Sequence, residues 1–204
     1  MFRRLKYKLG EKRFERRMSR QRYKNGFSDD DCWAMDWWLT NTFPKMILHL
    51  RDMKHGAPEE TFEEFDTLPK EWKDAELEVY KYIQEKNGYE YEPDSIFTKW
   101  YIILTRMAYC LREADKDKEV YNPYERDYNK AIFGEDFFED RTFEEFRDKF
   151  FEKTDIGYEL KTNEVDAELK EKYIAEEEKI WEYKESMKNE GLDLLKKYFY
   201  NLWD

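Results

Sequence analysis

The stretch FSDDDCWAMDWWLTN, residues 27–41, sets one carboxylate, Asp36, among Trp33, Trp37 and Trp38. Further along, Cys32, Asp36, Leu39, Phe43, Met46, Leu50 and Met53 recur every three or four residues. A helix with that rhythm turns the stripe toward a core, which predicts that Asp36 is its one buried charge. A lone buried carboxylate is costly, so it must be paired, hydrogen-bonded or protonated. Arg106, Arg112 or an indole N–H would serve as its partner and lock the helix packing. The functional counterpart is a polar anchor in an aromatic pocket formed by Trp33, Trp37 and Trp38, with Arg106 facing Asp36. Ligand sites orient their occupants with a few fixed polar groups of this kind.

Other chemistry-bearing residues offer less. His49, Asp52 and His55 share one broad helical arc, but the chain has two histidines in all and His55 abuts Gly56. A polar pair near a helix C-terminus, where histidine is favourable, accounts for them, and no metal is expected. Asp29, Asp30 and Asp31 follow Ser28 as a capped first turn would require, so helix capping explains the cluster. The chain has no GxGxxG, GxxxxGK[ST], CxxC pair, HExxH or GxSxG. The expectation is a non-enzymatic protein without a cofactor.

The elements that must position these residues are helical. Seven Gly and five Pro leave little room for hairpin turns, aromatics make up 19% of the 204 residues, and Glu and Lys dominate the polar positions. The fold class is therefore all-α: a compact helical domain with a basic N-terminal arm and a long C-terminal helix. Helices are expected from Ser28 to about Lys54, kinked or split near Thr42 by Pro44, from Thr61, from Pro69 to Lys86, and from Asp94 or Ser95 through "IFTKWYIILTRMAYCLREA", the most apolar segment and so the central one. Residues 115–141 read mostly as loop, Thr142–Lys153 as a short capped helix, and Val165–Leu202 as one long helix broken or bent at Gly191. The pentapeptide TFEEF, at 61–65 and 142–146, reads as two capped turns docking through paired Phe. Cys32 and Cys110 read as buried thiols. No run approaches the length of a membrane span.

Charge is strongly divided. Residues 1–25 hold eleven Lys and Arg against two Glu, a net +9, with Arg3, Arg4, Arg13, Arg16, Arg17 and Arg20 among them. The other 179 residues carry 26 basic and 46 acidic side chains, a net −20. This divides the chain into a basic amphipathic arm, 1–25, and an acidic, aromatic-rich helical domain, 26–204. The arm has three readings: docking on the acidic body or another protein, contact with nucleic acid, or contact with an anionic membrane. The apolar face at the end of the last helix, Leu194, Leu195, Tyr198, Phe199, Leu202 and Trp203, reads as core, with a homodimer as the alternative.

The combination NGFSDDDCWAMDWWLTNTFPKMILHLRDMKHGAP resembles an uncharacterised family of phage and prophage proteins. Members carry a G-F-S-x-x-D-x-W-x-x-D-x-x-[IL] block, a Pro-containing apolar helix and an H-G-x-P stop. The match falls on Gly26, Phe27, Ser28, Asp31, Trp33, Asp36, Leu39, Pro44, His55, Gly56 and Pro58. KWYIILTRMAYCLRE and the terminal GLDLLKKYFYNLWD are also similar, whereas the Trp37-Trp38 pair departs from the family's aliphatic residues. The resemblance implies a phage origin and expression in the cytoplasm of a bacterial host, and carries no activity. Together these readings point to a binding protein acting on a host or phage macromolecule, with counter-defence as one role. The alternatives are a virion component whose basic arm contacts DNA or a neighbouring subunit, and a nucleotide-sequestering protein with an aromatic pocket.

Overall fold

The computed structural model describes residues 2–53, 56–58, 62–134, 142–155, 157–161 and 163–202, with the side chains of residues 2–11 and Trp33 outside that description. Helix dominates throughout, and the described sheet is a single two-stranded hairpin. Contacts divide the chain into two units, one of residues 1–117 with 186–204, the other of residues 118–185. The basic arm, 1–25, lies within the first unit.

In the first unit, α1 (Phe2–Asn25) ends at Gly26, whose φ of 81° is the left-handed stop that a glycine adopts without strain. Ser28 then starts α2 (Asp29–Trp33) with a capping box in which Asp31 takes the place usual for Glu. The chain leaves the helix at Ala34, makes one turn as α3 (Met35–Trp37), and widens into a π turn over Trp38–Thr42 before α4 (Phe43–Met53). Pro44 explains the widening. It has no N–H to give Thr40, and its ring would crowd that carbonyl, so Phe43 N–H bonds Trp38 instead.

This irregularity overturns the predicted stripe. The expected core positions Met46 and Met53 are exposed, while Pro44 and Ile47, one residue over, are buried. One extra residue in a helix rotates the turns before it by about 100° relative to the turns after it. The stripe assumes an unbroken period across the π turn, and Asp36 lies on the wrong side of it.

The core gathers around α7 (Ile96–Glu113), which starts at the predicted cap Ser95 and is buried nearly all round from Trp100 to Leu111. Packed against it are α4, α5 (Glu63–Thr67) and α6 (Lys70–Lys86). Of the two TFEEF copies, the first buries Phe62 and Phe65 in this core, whereas Phe143 of the second is exposed. Thr61 lies outside the described residues. Cys110 is buried as expected, but Cys32 is exposed, being on the segment that the π turn rotates away.

The second unit holds α8 (Glu125–Phe133), within the expected loop, and α9 (Phe143–Phe150), started by a Thr142/Glu145 capping box. The predicted end of that helix is instead strand. Phe151–Thr154 pairs antiparallel with Gly157–Leu160, where aromatic and β-branched residues suit a pleated ribbon. Tyr128 stacks on Tyr173 with ring centroids 4.0 Å apart, and buried Asn122 donates to Glu177 at 2.7 Å.

Helix α10 (Ala167–Tyr198) begins in the second unit and gives its last turns, from Ser186, to the first. It runs through Gly191 unbroken. The glycine serves close approach: a Cβ there would meet Leu111 Cδ2 at 3.0 Å and Cys110 Cβ at 3.2 Å. Leu194 and Tyr198 follow it into the core, and Phe199 is exposed. Gly191→Val should therefore lower stability by about 1–3 kcal/mol through overpacking, read from the urea midpoint. An unchanged midpoint would mean that α10 does not press on α7.

Candidate functional site

Helix α1 segregates its side chains. At about 100° per residue, Lys12, Arg16, Arg20, Arg13, Lys24 and Arg17 fall in order within an arc of about 140°. All six are exposed, and among the described residues none makes an ion pair. Arg17 lies over the Phe14 ring at 5.6 Å, a contact that keeps its charge. Arg3 and Arg4 belong to the same helix, with side chains outside the described residues.

The opposite side of α1 is the attached one. Met18 is buried. Arg22 donates Nε to Asp31 Oδ2 at 2.9 Å and Nη2 to Oδ1 at 2.6 Å, the two-pronged geometry a guanidinium makes with a carboxylate. Gln21 donates to Asp29 Oδ2 at 2.6 Å and accepts from the Asp29 amide at 3.1 Å. Asp31 thus joins the α2 cap to α1. The Arg22 hydrogen bond, then the Ser28 amide, hold its carboxyl well below the usual carboxylate range. One helix therefore carries a docked face and, opposite it, an exposed cationic face.

Of the residues expected to line an aromatic pocket, the structure describes the side chains of Asp36, Trp37, Trp38 and Arg106. Asp36 is not buried: its side chain is 57% exposed, and its partner is Lys116, 70% exposed, with Nζ 2.5 Å from Oδ2. The Lys116 hydrogen bond, then the Trp37 amide, lower its carboxyl from the ordinary value. Trp37 is exposed, Trp38 is half-buried and stacked on Phe43 at 5.6 Å, and the Trp33 side chain lies outside the described residues.

Arg106 is committed elsewhere. It is the buried cation of α7, with its side chain 5% exposed, and it donates Nε and Nη2 to the two Glu190 oxygens at 2.6 and 2.7 Å. The Trp72 and Tyr109 rings lie 4.9 and 5.4 Å from its guanidinium. Burial pulls its pKa down, but the Glu190 hydrogen bond and neighbouring charges outweigh that and leave it raised. Burial pushes the Cys110 thiol up to about 12, so it is an inert core group. Asp52 is held by Arg51 at 2.8 Å, His49 is exposed, and His55 lies outside the described residues. Among the described residues no cluster of His, Cys, Asp and Glu could hold a metal.

Sequence reasoning identifies the cations of α1 but not their sorting into an outward arc and an inward Arg22. The helical projection of residues 12–24 carries that signal. Comparison with family models, with curated proteins and with solved structures returns no match.

Breaking a buried ion pair costs about 3–5 kcal/mol, and the one-third exposure of Glu190 places Glu190→Ala near the lower figure; Asp36→Ala should leave the urea midpoint unchanged. Equal effects of the two would contradict the exchange of roles between Asp36 and Glu190. For the arm, a depressed Asp31 contributes fully above the unfolded carboxylate value near ~4, and that contribution fades as pH falls through its own lower value. Acidification below about pH 4 should lower the protection of the amides of residues 18–25 relative to their intrinsic exchange, and Asp31→Asn should lower it already at neutral pH. Wild-type protection that stays constant with pH would exclude the Arg22–Asp31 anchor.

Proposed function

We propose that this is a non-enzymatic binding protein that contacts the phosphates of duplex DNA through the outward face of α1. The observation that carries the reading is the arc of Lys12, Arg13, Arg16, Arg17, Arg20 and Lys24, exposed and without ion pairs among the described residues, opposite the anchored Met18–Arg22 side. From residue 12 to 24 the helix rises about 18 Å, and B-DNA carries one charge per ~1.7 Å of axis. Such a row of cations displaces condensed counterions, and the contact carries no sequence preference of its own.

The acidic remainder of the chain opposes this attraction, but charges farther than about 8 Å are screened at physiological salt. The same remainder disfavours a nearby acidic protein partner equally, so it does not choose between them. The phage origin implied by the sequence resemblance fits a DNA-contacting virion component better than a blocker of a host enzyme, because the arm's free charge is positive.

Anisotropy of a short fluorescein-labelled duplex, titrated at several salt concentrations, tests the reading. Each phosphate contact adds about −0.9 to the slope of log K against log salt. Replacing Arg13, Arg16, Arg17 and Arg20 by Gln should weaken binding and reduce the magnitude of the slope by about 3–4. A variant that binds as the wild type does, or a wild type that binds an acidic polypeptide but not the duplex, would overturn the proposal.

A further inference from the structure

The first unit also contains a cleft remote in sequence from the arm. It lies where the end of α4, residues 56–58, α6 and the start of α7 meet, and has a volume of about 770 Å³. Small-molecule sites occupy roughly 300–1,000 Å³. Its floor is aromatic and buried, with Trp100 beside Tyr80 and Tyr101, the last two stacked at 4.1 Å. Phe97 and Tyr200 also line it, and both rings are exposed.

The polar groups of the cleft are unusual in two respects. Gln84 is only 6% exposed, yet its Nε2 has no hydrogen-bond partner. Burial raises the pKa of the neighbouring Tyr80 hydroxyl and contact with the Gln84 side chain lowers it, yet the amide nitrogen has no partner at hydrogen-bonding geometry. Native proteins rarely bury a donor without a partner, because its lost hydration is not returned. The second respect is charge. The lining cation Arg51 is already engaged: it bonds Asp52, donates Nη1 to Thr105 Oγ1 at 3.1 Å and lies over the Tyr101 ring at 4.4 Å. Glu90 and Glu92, both exposed, line the cleft as well.

We infer that the cleft binds a planar nitrogen heterocycle of nucleoside size, carrying a ring acceptor and no phosphate. The exposed rings offer stacking faces, as aromatic side chains do for bases. The Gln84 side chain lines the cleft, and a turn of its terminal amide would present the buried Nε2 as the donor that a ring nitrogen or carbonyl oxygen accepts. The two glutamates, with Arg51 occupied, turn away an anionic group. This departs from the nucleotide pocket expected around Asp36 in both place and ligand charge, and it stands independently of the DNA reading.

Titration of the full chain with adenosine, guanosine, cytidine and uridine, and with each triphosphate, tests the inference through tryptophan fluorescence and calorimetry. At least one nucleoside should saturate with Kd at or below about 1 mM, and its triphosphate should bind about tenfold more weakly. Gln84→Leu should weaken that nucleoside by about tenfold while leaving the melting temperature unchanged or higher, since it removes an unsatisfied donor. Phe97→Ser, at an exposed position, should weaken it without affecting folding and so covers a failure of the first variant to fold. The inference fails if no nucleoside saturates, if the triphosphate binds as tightly, or if Phe97→Ser and a folded Gln84→Leu both bind like the wild type.

Discussion

The ion pair of Arg106 with Glu190 fixes much else in the first unit. A guanidinium 5% exposed in the central helix must have a carboxylate beside it, and the one it has stands 84 residues later in the chain. Once Glu190 is placed, the register of the last turns of α10 is set. Gly191 meets α7 at the Cys110–Leu111 level, where a larger residue would collide. Leu194 and Tyr198 then fall into the core, and Tyr198 packs on Phe62 and Trp100 with centroids 5.8 and 5.3 Å away. Its hydroxyl donates to Glu64 at 2.6 Å, and Lys197 also bonds Glu64, which ties α5 to the same corner. An electrostatic requirement thereby sets the register of hydrophobic packing.

Much of this is legible in the sequence because the signals are local. Ser28 and Ser95 start the helices expected of them, Gly26 and Gly88 stand at stops with φ of 81° and 77°, and the most apolar segment is the buried centre. The failures share a physical origin too. A sequence period carried across the π turn predicts Asp36 in the core, whereas its side chain is exposed, and no single-residue propensity announces such a turn beyond the presence of Pro44. Polar composition hides helix α8, although the Asn122–Pro123 entry and Gly134 exit frame it. The pairing of Phe151–Thr154 with Gly157–Leu160 is masked because Phe151 extends the aromatic run of α9 into residues that pair as strand.

The candidate site is legible as charge and not as geometry. Composition alone yields a basic arm attached to an acidic remainder, and leaves docking and nucleic-acid contact as alternatives. The structure separates engaged from exposed charge by face: Arg22 faces Asp31, while the six outward cations have no carboxylate partners among the described residues. Arg106, grouped by sequence with Asp36, is instead part of the core, so a site drawn around it would mistake structural chemistry for recognition.

The central claim is that the cations of one helix divide into an inward anchor and an outward contact surface. The most direct measurement tracks the Nε–Hε resonances of individual arginines by NMR as a short DNA duplex is added at low salt. The account predicts that Arg13, Arg16, Arg17 and Arg20 shift together, while Arg22 and Arg106 keep their positions. Movement of Arg22 ahead of the others, or no movement of any arginine in α1, would contradict it.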